Sequence, residues 1–208
     1  MRSSSSNAVN GATSITINAP AGTASGDVLI AIVAHQNGVN RNLVPPSGWT
    51  AVPSTDWSDG TNARIRSFFK VAGPLEPPSY TFTFASGAGQ DMSGGILAVL
   101  GGSPTAPVNA SNGQNNGSVG SKNVTAPSIS TTVANTLLVF GGACNVSASF
   151  TPPVGMTEHW DIASSGTYKV ATEAASQPLG ALGATGIRVA TASTSCRSVA
   201  VSIAIAPD

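Results

Sequence analysis

Tyr80-Thr81-Phe82-Thr83-Phe84 alternates strictly between ring-bearing and hydroxylated residues, putting three rings on one face of an extended chain and two threonines on the other. A period of two is the signature of a strand with one buried face. Working outward, Val199, Val201, Ile203 and Ile205 repeat the pattern against Ala200, Ser202 and Ala204. Ile65, Phe69 and Val71 likewise face away from Arg64, Arg66, Phe68 and Lys70. Val28–Ala34 is apolar on both faces, as for a central strand of a sandwich. Gly, Pro, Ser and Asn clusters punctuate these runs about every 8 to 15 residues, and no segment carries a period of 3.6. The count comes to about six strands in each half of the chain, about twelve in all. The expected fold is all-β, an antiparallel jelly-roll-like sandwich, with immunoglobulin-like sandwiches as the alternative.

The landmarks occur twice. Gly26-Asp27-Val28-Leu29-Ile30-Ala31, Pro45-Pro46-Ser47-Gly48-Trp49-Thr50, Phe69-Lys70-Val71-Ala72 and the run Ile96–Leu100 come first. Asn135-Thr136-Leu137-Leu138-Val139, Pro152-Pro153-Val154-Gly155-Met156-Thr157, Tyr168-Lys169-Val170-Ala171 and the run Val199–Ile205 follow in the same order. This is a tandem duplication with loops of drifting length. The expected organisation is an N-terminal arm at 1–11, one unit at 12–103, a polar linker at 104–123 and a second unit at 124–208. The arm is unpatterned, and the linker has the Ser/Asn/Gly composition of a long loop.

Composition excludes several classes of function. Only 9% of the 208 residues are charged, nine basic against nine acidic, whereas a typical globular protein carries about 25%. The basic residues are scattered from Arg2 to Arg197, which excludes a nucleic-acid partner held through phosphate contacts. The longest apolar run, Val28–Ala34, is far below the ~20 residues of a membrane-spanning helix, and Met1-Arg2-Ser3-Ser4-Ser5-Ser6-Asn7 lacks a signal-peptide core. A soluble chain with no membrane partner is expected. Cys144 and Cys196 cannot form a zinc site alone; buried free thiols are the first expectation and a disulfide the second. The Asn-x-Ser/Thr matches at Asn109, Asn116, Asn123 and Asn145 are expected from an Asn- and Ser-rich composition alone.

Catalytic chemistry finds little footing. The only histidines are His35, at a strand end expected to face solvent, and His159, in Thr157-Glu158-His159-Trp160-Asp161. There is no GxSxG elbow and no phosphate-cradling loop with a following Lys, so no enzyme and no cofactor are expected. Asp56 with Asp59, and Glu158 with Asp161, are read as turn-capping acids in loops beside tryptophans, with weak calcium binding as the sharper alternative. Trp49 is replaced by Met156 in the second copy, which points to packing. Trp57, Trp160 and Asp161 are the candidates for contact with a partner or a glycan, since tryptophan anchors interfaces and a flat ring stacks on a pyranose face.

The series GDVLIA (26–31), PPSGWT (45–50), FKVA (69–72), SYTFTF (79–84) and GGILAVLGG (94–102), then LLV (137–139), PPVGMTE (152–158) and a closing apolar strand, resembles a group of duplicated β-sandwich proteins. Proteins of that group occur in tailed-phage genomes and on bacterial surfaces. The chain departs from the group's pattern at Gly101-Gly102-Ser103-Pro104, where an acidic residue usually follows the glycines. The resemblance implies a non-enzymatic virion structural protein, of capsid decoration (cement) or head-fibre type. Its partner would be a major capsid protein or another virion protein, it would form a homo-oligomer, and it would be assembled in the host cytoplasm. The alternative expectation is a carbohydrate- or receptor-binding module, or a filament subunit, outside the cell or on its surface.

Overall fold

A computed structural model describes residues 1–208 as strands, loops and a single 3-10 turn at Gly38–Asn40. The first unit holds β1 (Ser3–Ala12), β2 (Ser14–Asn18), β3 (Val28–His35), β4 (Leu43–Val44), β5 (Thr50–Ala51), β6 (Trp57–Ser58), β7 (Arg64–Val71), β8 (Ser79–Phe84) and β9 (Gln90–Val99). The second holds β10 (Val108–Asn115), β11 (Ser121–Ala126), β12 (Ser130–Thr131), β13 (Thr136–Cys144), β14 (Phe150–Thr151), β15 (Thr157–Ala163), β16 (Ala171–Leu179), β17 (Gly183–Ala184), β18 (Arg188–Cys196) and β19 (Ser198–Ile205).

All pairings are antiparallel. The first unit forms a large sheet, β1-β9-β3-β7-β5 with β6 also on β7, and a small sheet, β2-β8-β4. The second forms β10-β19-β13-β16-β15 and β11-β18-β14, with β12-β17 as an extra ribbon. In each unit the chain passes from large to small sheet and back, the winding of a jelly roll.

Register makes the duplication explicit. Thr50, Phe69, Ile30, Leu97 and Ser4 stand in one transverse row of the first large sheet. Thr157, Ser176, Val139, Ile203 and Ser111 stand in the matching row of the second. Thr50 and Thr157 close the two PPxGxT motifs, so backbone pairing and sequence repeat agree. The motif itself is a β-turn. The Trp49 N–H donates to the Pro46 carbonyl and the Met156 N–H to the Pro153 carbonyl, with Gly48 at φ +84° and Gly155 at φ +78° in the third position. A side chain is strained at that φ, which explains the glycine; the residue after it, Trp49 or Met156, turns into its unit's core.

The strands stack in four layers around three apolar cores. One core lies inside the first sandwich, around Ile15, Phe68, Tyr80 and Phe82; another lies inside the second, around Val124, Phe140 and Phe150. The third lies between the two large sheets and joins Val28, Ile30, Ile32 and Leu97 to Val139, Val201, Ile203 and Ile205. The units therefore share a seam. Both faces of β3, β9 and β19 are buried along their whole length, which accounts for the unbroken apolar character of Val28–Ala34.

Several expectations change here. Residues 1–11 are not an arm: β1 pairs with β9 from Ser3 to Ala12. Its odd side chains dress the outer edge of the small sheet, with Ser3 Oγ, Ser5 Oγ and Asn7 Nδ2 donating to the carbonyls of Ala21, Asn18 and Thr16. Residues 104–123 are not simply a linker, because β10 is an edge strand of the second large sheet and β11 begins within them. Serine and asparagine fill β1 and β10, the edge strands of the two large sheets, where backbone pairing and side-chain hydrogen bonds stand in for apolar burial. Cys144 and Cys196 are joined in a disulfide, with Cα atoms 5.6 Å apart, rather than being free thiols. The bridge ties the end of β13 in the large sheet to the end of β18 in the small one.

Candidate functional site

Of the residues singled out by sequence, Trp160 and Asp59 are buried where the two units meet, Trp49 and His35 are buried within the first unit, and Asp56 and Glu158 are exposed. Trp160, on β15, is only 5% exposed and belongs to the shared core, so it is no surface for a partner or glycan. A Cβ at Gly95 of β9 would stand 2.7 Å from its ring. Trp57 is 37% exposed, donates its indole N–H to the Ser54 carbonyl at 3.0 Å, and lies against Gly113 of β10. Each tryptophan thus reaches across from its own unit onto a glycine of the other. Trp49 packs edge-on against Tyr80 and Phe82 in the first core.

The acids are placed differently from the expectation of turn caps. Asp56 bridges Arg64 at 2.6 Å and Arg66 at 3.1 Å. Asp59 pairs with Arg197 of the other unit at 2.6 Å. Glu158 and Asp161 lie on strand β15 rather than in a loop, and Asp161 accepts from the Phe150 N–H at 2.8 Å. Burial raises the pKa of Asp161, opposed in part by that N–H. No group of three or more His, Cys, Asp or Glu side chains is arranged to hold a metal ion.

His35 does not face solvent. It is fully buried, edge-on to Phe84 at 4.9 Å, with Nδ1 2.8 Å from the Gln36 carbonyl. Burial lowers its pKa to about 4, which keeps the ring neutral in the folded state at pH 7. His159 Nε2 is 2.7 Å from Ser176 Oγ, and burial, then the nearby N-terminal amine, lowers its pKa. The two histidines occupy different units, and only His35 is buried.

Sequence reasoning missed Glu173. It stands on β16, fully buried, and neither carboxylate oxygen has a hydrogen-bond partner. Burial pushes its pKa up to about 8, helped by the charges of Glu158 and Asp161. A readable signal existed: in Ala171-Thr172-Glu173-Ala174-Ala175 the acid alternates in step with Ala171 and Ala175, which face the second core.

Polar contacts fasten the seam in matched pairs. Ser4 Oγ donates to the His159 carbonyl at 3.2 Å, and Ser111 Oγ, its counterpart by register, donates to the Pro53 carbonyl at 2.6 Å. Stepping along the strands from Leu97 and Ile203, Asp91 and Arg197 also correspond. Asp91 accepts from Ser164 Oγ at 3.2 Å across the seam, and Arg197 reaches back to Asp59. A polar cleft of about 260 Å³ opens at one end of the seam, lined by Gln36, Asn37, Thr61, Gln90 and Tyr168. No known protein family, curated protein or solved structure matches this chain.

Proposed function

We propose that the chain is a non-enzymatic structural protein of a virion, a capsid decoration (cement) or head-fibre protein that works through protein–protein contacts. The observation that carries this reading is the character of the outer surface. Five of the nine basic residues, Arg2, Arg64, Arg66, Lys70 and Arg197, are held in ion pairs by Asp27, Asp56, Asp59 and Glu76. What remains outside is a largely neutral field of Ser, Thr, Asn and Gly, with apolar side chains at loop tips: Val154 is 98% exposed, Leu75 93% and Val119 82%. Such a surface neither repels a repeating lattice nor loses its hold at high salt, and apolar tips supply anchors. The resemblance of the two motif series to duplicated phage sandwiches supports the same reading. Homo-oligomerisation and a capsid or other virion protein as partner belong to the proposal.

The test is density-gradient fractionation of the native source, followed by mass spectrometry. Co-sedimentation with phage-like particles at a fixed ratio to a capsid protein is the expected result. Recovery only as free protein, or with cell envelopes, overturns it.

A further inference from the structure

We propose that the cleft lined by Gln36, Asn37, Thr61, Gln90 and Tyr168 binds a neutral pyranose sugar. It opens where β3 runs out, β9 begins and the turn before β16 crosses over, so both units build it. None of its lining residues is charged, which gives an anion or a cation no counter-charge.

Gln90 is the central observation. It is only 6% exposed, its side-chain amide makes no hydrogen bond within the chain, and neither amide atom is sealed off from solvent, so what is left open of the residue is the amide, and it faces the cleft. An amide carries two donors and an acceptor, a set that matches adjacent sugar hydroxyls, each of which both donates and accepts. Gln36 is held firmly beside it. Its Nε2 donates to the Asn145 carbonyl at 3.0 Å and the Lys169 carbonyl at 2.7 Å, leaving Oε1 as an acceptor. The second of these bonds also anchors the backbone next to Tyr168. Asn37, left-handed at φ +61°, has its Oδ1 engaged by Asn40 Nδ2, which leaves its own Nδ2 as a donor.

Tyr168 is 57% exposed and supplies an aromatic face for the C–H side of a ring. At about 260 Å³ the space falls just under that of drug-sized pockets, the scale of one ring. The cleft is also single. The position matching Gln90 in the second unit is Cys196, which is tied to Cys144.

The site does not depend on the virion reading, and its test is separate. Saturation-transfer NMR on the full chain, with the methyl glycosides of glucose, galactose, mannose and N-acetylglucosamine, should detect at least one with Kd of about 1 mM. Tyr168→Ala, an exposed change that leaves the cores intact, and Gln90→Leu should each weaken binding at least about tenfold. No transfer from any of the four sugars overturns the proposal. Transfer unchanged in Tyr168→Ala overturns it as well, whether or not Gln90→Leu folds.

Discussion

The two units share a winding but fill it with different chemistry. The first core is aromatic: Trp49, Phe68, Tyr80, Phe82 and Phe84 line it. The second has Phe140 and Phe150 among Ala126, Ala171, Ala175, Ala190, Ala192, Ala200 and Ala204. By register Phe68 corresponds to Ala175; Ile15 stands opposite Phe82 in one small sheet and Val124 opposite Ala190 in the other. Large rings bury more apolar area than methyl groups, so the second sandwich gains less from burial. It also has what the first lacks, a covalent link between its sheets.

The charged residues diverge in the same way. Arg66 and Glu173 occupy matching positions, and both units use a charged side chain to hold their short strand. Arg66 donates to the Leu43 carbonyl of β4, whereas in the second unit Asp161 accepts from the Phe150 N–H of β14. Arg66 has Asp56 as counter-ion; Glu173 has no hydrogen bond and two acidic neighbours. One unit resolved its buried charge by pairing. The other carries it as a proton-dependent load.

The largest effect should come from deleting residues 1–12. This removes β1, leaves β9 as a bare edge, frees the Thr16 and Asn18 carbonyls of β2 and removes the Arg2 partner of Asp27. Loss of a cooperative thermal transition by circular dichroism is expected; a truncated protein that melts like the parent would show β1 to be dispensable. Next is the staple. Cys144→Ala with Cys196→Ala opens a loop closed over a separation of 52, and chain entropy puts the loss at about 4 kcal/mol. Urea unfolding measures it, and a change under about 1 kcal/mol would mean that the alanine-rich core stands without the bridge.

Glu173→Gln should stabilise. The folded state holds the Glu173 proton more tightly than the unfolded chain, so stability falls as pH rises from about 4.5 to about 8. The variant should gain on the order of 3 kcal/mol at pH 8 and nothing at pH 4. Parallel stability–pH curves for parent and variant would contradict this. Arg66→Met should do the reverse, losing about 2 kcal/mol with little pH dependence between 5 and 8; the loss is modest because Asp56 keeps Arg64. Equal signs for these two variants would dissolve the contrast between the units.

Much of the fold was legible because alternation and turn chemistry are local. SYTFTF, the closing strand Val199–Ile205 and both PPxGxT turns were read from neighbouring residues, whereas the two-residue strands and three longer ones, β1, β10 and β15, escape such a reading. The candidate site was less legible. Trp160 has the look of an exposed anchor in its pentad, and nothing local reveals that Gly95, 65 positions earlier, receives its ring. Gln36, Gln90 and Tyr168 carry no common pattern at all.

By itself, then, the sequence determined the strands with a buried apolar face, their turns and the duplication, since each depends on period-two burial and on glycine where φ is positive. Only the tertiary structure decided that the two large sheets meet face to face. That meeting buried Trp160 and His35's strand, drew serine-rich β1 and β10 in as edges, and opened the cleft at the seam. The physical reason is that an edge strand is held by backbone pairing and side-chain hydrogen bonds to distant carbonyls, which leave no hydrophobic period in the chain.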